Sequence, residues 1–552
     1  MDVTTMAGTG QFEAALRIVE ALRARGYEAY LAGGCVRDLL LGREPADYDV
    51  ATSAPPEVVL EMFPRTFAVG AHFGVVLVAP ESEESGFVTE VATFRSDLKY
   101  SDGRHPDGVR YTKTAEEDVK RRDFTINGLL LDPVRAIPQK ADRAPGTGFE
   151  KATTGPSTPV AAAPSAQDDK SVGEGADARG ADLDDYSSVG VGADVRGGGL
   201  ESHPSRKNKD AARVGHPSLG ERVNDAKFLR EAVLDFVGGL ADIDAGIVRA
   251  IGRAEQRFQE DHLRMLRGVR FAARFGFELE AETKRAIQTL ASRIHVVSRE
   301  RVRDELTKML TEGHARRAFE LLDETGLLNE VLPEVARMKG VEQPPQFHPE
   351  GDVWVHTLML LEQLEPGCSE TLAWGALLHD VGKPPTFKRG PDRIRFDGHV
   401  AIGVAMGAEI CRRFRFSNEE TRQVVALIEN HMRFMDAQRM KQSTLKRFFR
   451  LPRFEEHLAL HKMDCLAGSG YLEHWEFVRE RLSSMPEEVV RPKPLISGRE
   501  LIAAGYPPGE RFREMLRAVE DAQLEGTIAT TEEAIKLVRE RFPLGNGERV
   551  KE

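Results

Sequence analysis

Apolar and polar positions alternate with two different periods at the start of the chain. Phe12, Ala15, Ile18, Val19 and Leu22 recur at helical spacing, which predicts a helix over 11–25 closed by Gly26. The run Ala29-Tyr30-Leu31-Ala32 reads as a strand that stops at Gly33-Gly34, and VRDLLL after it reads as a helical turn. Asp47 to Val50 predicts a second strand, and Pro55-Pro56 opens a helix, PPEVVLEMF. From Thr66 to Phe94 the period shortens to the β-rich runs FGVVLVA and GFVTEVATF, followed by a polar, turn-rich loop over 94–111. The expectation is an α+β unit, a small mixed sheet with helices behind it.

Beyond Leu131-Asp132-Pro133 the pattern dissolves. Residues 137–227 are rich in Gly, Ala, Ser, Asp and Pro with hardly any aromatics, so they read as a disordered insertion that buries too little apolar surface to offset chain entropy. Globular patterning resumes near Phe228, where AVLDFVGGLADIDAGIVRAIG reads as the second half of an interrupted hairpin. From there the helical period dominates. Glu260 to Phe277 is predicted as one amphipathic helix, with Asp261, Arg264, Arg267 and Arg270 on a face beside the apolar stripe. VSRERVRDELTKML follows as a helix capped by Ser298, with Arg301 and Glu305 on its exposed side. The predicted division is 1–136 plus 228–253 for the head, 254–340 for a helical neck, 341–485 for a further helical domain and 486–552 for a helical tail.

The 552 residues suffice for several cores, and no apolar run approaches a membrane span. The N-terminus has neither a basic nor an apolar signal region. Cys35, Cys368, Cys411 and Cys465 are scattered without a CxxC pair, which argues against a disulfide framework or a thiolate zinc site and for a reducing cytoplasm. The net charge of −12 does not exclude an RNA partner, because basic patches such as Lys120–Arg122, Arg412–Arg415 and Lys446–Arg453 act locally.

The densest chemistry lies in LAGGCVRDLLLGREPADYDV, Leu31 to Val50. Gly33-Gly34 admits close approach to bare backbone, the helical turn after it offers N–H groups to an anion, and Arg37 adds a charge. Asp47 and Asp49, two apart, would point to one side of a strand and can hold Mg²⁺. The combination GGxVRDxLLGxxxxDxD resembles the head signature of the class II nucleotidyltransferases, the family of enzymes that add C, C and A to tRNA 3′ ends together with the bacterial poly(A) polymerases. The resemblance implies an α+β nucleotidyltransferase head followed by an all-α neck, body and tail. It assigns Asp47 and Asp49 to catalysis with Mg²⁺, and Gly34, Arg37 and Arg122 to the nucleotide. EEDVKRRDFTIN resembles the family's second motif, with Asp123 and Asn127 contacting ribose or bracing the loop. Glu90 stands as a candidate third carboxylate. The loop over 94–111 resembles the full-length version associated with switching to the terminal A.

EDHLRMLRGVRF matches the family's neck motif EDxxRxxRxxRF. The simpler reading of those charges is a salt-bridged helix surface. The sharper one is a base reader, in which a carboxylate beside a guanidinium accepts from an exocyclic amino group and donates to the ring nitrogen next to it. Cytosine and adenine share that pattern, whereas uracil and guanine reverse it. The resemblance gives Asp261 and Arg264 to the base and Arg267 and Arg270 to nucleotide and structural contacts nearby.

A second constellation comprises His356, His379-Asp380 in ALLHDVGKP, and Asp464, with His399 and His431 as further members. Imidazoles and carboxylates suit a divalent transition metal or Mg²⁺. The pattern resembles the HD phosphohydrolase superfamily, and the tail resembles the C-terminal segment of HD-containing CCA-adding enzymes. The tail's mix of apolar and basic residues could cap that domain or hold tRNA, and capping is the default. The implied function is addition of CCA to the tRNA 3′ end from CTP and ATP. The alternatives are a poly(A) polymerase, an enzyme adding only the last A, and an HD phosphohydrolase whose head serves to bind RNA.

Overall fold

The computed structural model describes residues 10–67, 74–80, 87–97, 109–135, 226–345, 351–391 and 393–544. Of the predicted insertion 137–227 all but the last two positions lie outside the described residues, as does most of the 94–111 loop. The described residues belong to one unit built from Met1–Pro138 and Ser218–Glu552.

A seven-stranded mixed sheet forms the head. Its strands are β1 (Ala29–Ala32), β2 (Asp49–Thr52), β3 (Thr66–Phe67), β4 (Val75–Val78) and β5 (Thr89–Thr93); a separate hairpin of β6 (Arg95–Asp97) and β7 (Val109–Tyr111) follows, and β8 (Leu129–Leu131) and β9 (Val233–Asp235) complete the sheet. The order is β3-β4-β5-β2-β1-β8-β9, with β2 and β5 parallel and the other pairs antiparallel. Alternation along the strands decides the faces. Leu31, Val50 and Val91 point into the core with Phe12, Leu16 and Val19 of the Gly10–Ala24 helix, while Ala32, Ala51, Phe94, Val119 and Leu130 pack on the opposite face. Each large side chain buried in this way contributes about 1.5–3 kcal/mol.

The interrupted hairpin is present: β8 and β9 pair across the insertion, and the Asp132 N–H donates to the Ala232 carbonyl at 2.9 Å. Asp235 then accepts from the backbone N–H groups of Val237, Gly238, Gly239 and Leu240, which folds the Gly-Gly turn tightly enough to start the Gly239–Ala245 helix.

The neck differs from expectation at its start. Helix Ala254–Glu260 ends at Asp261, whose backbone is extended, and a new helix runs over Leu263–Phe275. The physical reason is that the Asp261 carboxylate accepts from the Leu263 N–H at 3.0 Å, so the residue starts a helix instead of lying within one. Ser298 does precede the Arg299–Thr311 helix, but its side chain makes no cap hydrogen bond. Glu305 is buried beneath Arg270, not exposed, and Arg301 is turned inward to Asp261.

Further helices at Val353–Leu361, Glu370–Leu378, His399–Arg413, Asn418–Asn430 and Phe454–Ala467 share the apolar core that runs from head to neck. Gly382 lets two of these elements meet, since a Cβ there would stand 2.1 Å from the His399 carbonyl oxygen. Separate apolar clusters follow around Phe434, Phe448, Phe454 and Val478, and around Leu501, Tyr506, Val519 and Val538. No helix among the described residues is long and apolar enough to cross a membrane.

Candidate functional site

Asp49 is the first residue of β2, and Asp47 lies on the loop that enters it; the strand predicted over Asp47–Val50 therefore starts two residues later and runs on to Thr52. Tyr48 between them is buried with its ring edge-on to Phe12, at 5.5 Å between centroids, which turns both carboxylates to the other side. The parallel register Val50↔Val91 places Glu90 beside Asp49. The Asp49 carboxyl is pushed up to about 7, first by burial, then by the charges of Glu90 and Asp47, with Arg122 opposing. Glu90 is raised too, by partial desolvation and by Asp47, with Arg122 and Arg95 opposing. Asp49 and Glu90, which resist ionising beside one another and beside Asp47, offer the oxygen donors a hard divalent cation takes.

Gly33 sits at the end of β1 with φ of 72°, and a Cβ on it would lie 2.9 Å from Arg122 Nη1. Gly33, more than Gly34, is thus the residue the turn cannot replace, since a Cβ on Gly34 would meet nothing nearer than 3.6 Å. Arg122 reaches this turn from the end of the Ala115–Lys120 helix, anchored by Asp118 Oδ2 at 3.1 Å and by the Asn127 carbonyl at 3.4 Å. Asp118 also holds Arg121, and these two guanidiniums, against the effect of burial, keep its carboxyl below the usual range.

The Arg37 guanidinium is buried, donates to Asp38 at 2.8 Å and to Asn127 Oδ1 at 2.5 Å, and lies over the Phe275 ring at 4.6 Å. Those contacts tie the turn after β1 to Asn127 and to the neck. Asn127 continues the chain to Asp123 at 3.0 Å, and Asp123 receives Arg267 Nε at 2.8 Å. Burial alone would raise the Asp123 carboxyl; Arg267, Asn127 and Arg264 hold it far below its ordinary value.

On the neck, Asp261 and Arg264 are near in sequence but pair with different partners. Asp261 Oδ2 accepts from Arg301 at 2.8 Å, and Arg264 Nη1 donates to Glu260 at 2.6 Å and to the Arg257 carbonyl at 3.1 Å. Arg264 and Arg257 also reach the Arg121 carbonyl, so this segment docks on the RRD motif of the head. Arg270 is buried between Glu305 at 2.7 Å and Glu312 at 3.2 Å. The sequence gives Asp118 and Glu260 no role and places Arg301 on an exposed face; the only local signal for the first two is the four-residue spacing of Asp118–Arg122 and Glu260–Arg264.

The six histidine and aspartate residues converge into two groups, His356, His379 and Asp464, and Asp380, His399 and His431. His356 Nε2 lies 3.0 Å from Asp464 Oδ1, and His379 Nε2 lies 3.1 Å from Asp380 Oδ2. Asp380 Oδ1 stands 4.0 Å from His399 Nε2 and 3.7 Å from His431 Nε2. Each of His379, His399 and His431 directs Nδ1 to the backbone carbonyl three residues earlier, at 2.8, 3.0 and 2.7 Å. That bond fixes the tautomer and leaves Nε2 as a lone-pair donor. Their Nε2 atoms and Asp380 Oδ1 are buried without a hydrogen-bond partner. Burial lowers His399 and lowers His431 to about 4, so both are neutral. His379 and Lys383 hold Asp380 ionised against burial. These buried atoms in one cluster fit metal ions; among the described residues His379 Nε2 has a carboxylate oxygen near it, Asp380 Oδ2 at 3.1 Å.

Three families match the chain by their models: the poly A polymerase head domain over residues 29–141, the "Probable RNA and SrmB- binding site of polymerase A" over 276–339, and tRNA nucleotidyltransferase domain 2 over 400–538. Among curated proteins, the CCA-adding enzyme of Lactobacillus gasseri is 31% identical over 355 residues, 64% of either chain. That of Geobacillus stearothermophilus is 32% identical over 325 residues, 59% of this chain and 55% of its own. The chain thus spans 55–64% of the length of these two relatives. The Streptococcus thermophilus CCA-adding enzyme is 26% identical over 535 residues, 95% of this chain and 96% of its own. The fold is similar to the crystal structure of the Bacillus stearothermophilus CCA-adding enzyme in complex with CTP, with a TM-score of 0.61 and 24% identity over 97% of this chain and 98% of that one. It is also similar to the Thermotoga maritima CCA-adding enzyme complexed with tRNA CCA, with a TM-score of 0.50 and 14% identity over 98% of this chain and 97% of that one. These likenesses show the fold, a nucleotidyltransferase head with a mixed sheet followed by a mostly helical body.

Proposed function

We infer that the chain belongs to the class II nucleotidyltransferase family and is a CCA-adding enzyme, which builds or repairs the 3′-terminal CCA of tRNA from CTP and ATP and releases pyrophosphate. The observation that carries this reading is the meeting of Asp47, Asp49, Glu90 and Arg122 around the Gly33 turn, with Arg264, three residues after Asp261, docked against the same head. Relatives named CCA-adding enzymes, and similar folds solved with CTP and with tRNA, favour tRNA as acceptor over a general poly(A) substrate.

Asp47 and Asp49, with Glu90 beside them, are the residues to hold Mg²⁺, which supplies charge stabilisation for the phosphoryl group and the pyrophosphate and acidifies the attacking 3′-hydroxyl. Arg122 clamps the triphosphate over the bare backbone of Gly33 and Gly34. Asp261 accepts from the amino group of cytosine or adenine, and Arg264 donates to the adjacent ring nitrogen. Such a bidentate pair discriminates by about 1–3 kcal/mol. Arg267, bonded to Asp123, keeps the reader in register with the catalytic carboxylates. A tRNA substrate and four unpaired cysteines fit action in the cytoplasm.

Labelled CTP, ATP or both, offered with tRNAs ending before C, CC or CCA, test the reading. C then C then A should be added and addition should stop. Long A tails on any RNA would identify a poly(A) polymerase, and A addition alone an A-adding enzyme. Asp47→Ala should abolish incorporation of both nucleotides.

The second cluster supports a second reading beside the first, an HD-type metal-dependent phosphohydrolase site. His356, His379, Asp380 and Asp464 would hold one ion, and Asp380, His399 and His431 another. The orphaned Nε2 atoms favour it. A divalent metal there would supply a hydroxide nucleophile and polarise a phosphate ester.

A further inference from the structure

We propose that Gln343 is a substrate-binding residue of the histidine–aspartate centre, its side-chain amide N–H being a preformed donor for a phosphoryl oxygen beside Asp380. This rests on the reading of that cluster as a metal centre, and names the residue that would recognise its ligand.

Gln343 is 2% exposed on the segment that leads into the helix carrying His356. The described residues on either side of 346–350 are bonded to each other. The Gln343 N–H donates to the Gly351 carbonyl at 2.9 Å, and Asp352 accepts from the Gly340 N–H at 2.9 Å and the Val355 N–H at 2.7 Å. Gln343 Oε1 accepts from Lys383 Nζ at 2.6 Å, and Lys383 Nζ also donates to Asp380 Oδ2 at 2.7 Å. An ammonium can only donate, so the amide orientation is settled: oxygen faces Lys383 and Nε2 occupies the other branch. That Nε2 is buried with no partner.

A buried amide donor left unmet is destabilising. A methionine or leucine would fill the same volume without that penalty. Through Lys383 the amide is tied to Asp380, the carboxylate that lies 3.1 Å from His379 and 3.7 Å from His431. Lys383 also fixes which Asp380 oxygen faces which histidines, leaving Oδ1 for His399 and His431. The charge balance names the ligand. Two divalent ions, two carboxylates and one ammonium leave an excess of positive charge that a phosphomonoester dianion with a hydroxide neutralises. The phosphoryl oxygens accept from Gln343 and Lys383 while the ester oxygen points outward.

The test uses the full-length protein loaded with Mn²⁺, with metal content measured per chain and inorganic phosphate titrated by calorimetry. Gln343→Glu keeps the acceptor for Lys383 and deletes the donor; Gln343→Met deletes both without adding charge. Both variants should retain Mn²⁺ and CCA addition, bind phosphate at least tenfold more weakly than the wild type, and lose p-nitrophenyl phosphate hydrolysis through KM more than kcat. Unchanged phosphate affinity in either metal-loaded variant would overturn the proposal. So would loss of Mn²⁺ from the variants, which would make Gln343 a structural prop of the centre. A wild-type chain that takes up no Mn²⁺ would refute the metal centre itself and the proposal with it.

Discussion

Replacing Asp49 with asparagine should make the metal-free protein more stable at pH 8 while abolishing nucleotide incorporation. In the fold the Asp49 carboxyl titrates near 7 instead of the ordinary 3.8, because burial, then Glu90 and Asp47, disfavour its charged form. A shift of that size corresponds to ~4 kcal/mol at 1.36 kcal/mol per pH unit. Asp49 is only half-buried, so solvent screening brings the expected penalty to about 2 kcal/mol. The native state retains a proton that the unfolded chain releases, so stability falls as pH rises from about 4 to about 7 and stays at the lower value above that. Asparagine has nothing to ionise. The difference between variant and wild type should therefore be absent near pH 4 and about 2 kcal/mol in favour of the variant at pH 8. At 2–4 °C per kcal/mol for a domain-sized unfolding unit, this is a rise in Tm of about 4–8 °C. Thermal melts in EDTA at a series of pH values give the difference directly, and other titrating groups cancel in it. Mg²⁺ should raise the wild-type Tm and leave the variant unmoved. A variant no more stable than wild type at pH 8, or a gap that persists unchanged to pH 4, would refute the crowding of charge at this site.

Asp261→Ala should let UTP or GTP be incorporated, and because Asp261 also starts the neck helix and holds Arg301, it should lower stability by ~1–2 kcal/mol; unchanged base choice would return the residue to a purely structural role. Gly33→Ala places a Cβ against Arg122 at a φ of 72°, so the KM for CTP and ATP should rise at least tenfold, and an unaltered KM would show that Arg122 does not need that turn. Joining residue 139 to residue 218 through a short Gly/Ser linker should preserve both Tm and CCA addition, since β8 and β9 pair directly; failure to fold would give the deleted stretch a structural part. Asp123→Ala should cost ~3–5 kcal/mol by stranding Arg267 and freeing the head from the neck, measurable by urea denaturation, and a loss under 1 kcal/mol would show that the pair does not join them.

The head's α+β character, the helical body and the stretches that carry chemistry were legible in the sequence because each is written within a short window. Helical and strand periods, a Gly-Gly stop, Asp-x-Asp and an adjacent His-Asp depend on neighbours a few residues away. Everything decided by register or by helix packing was not. Glu90 stands beside Asp49 only because β2 and β5 pair in parallel with Val50 opposite Val91, a contact the local pattern does not contain. The contacts of Arg37 with Asn127 and the Phe275 ring join residues far apart in the chain and have no signal in its local pattern. Asp261, spaced as if on one helix with Arg264, starts a new helix and takes Arg301 from a helix that begins dozens of residues later. The six histidine and aspartate residues could be named from the chain, but their division into two groups follows from how the elements that carry them pack, with backbone carbonyls orienting three of the four rings. Gln343 carries no signal at all until Lys383 is placed against it. The sequence by itself thus determined the elements and the chemical vocabulary, since both are local. The tertiary structure decided which of those groups act together, since charge and hydrogen bonding depend on distances of a few ångström between residues far apart in the chain.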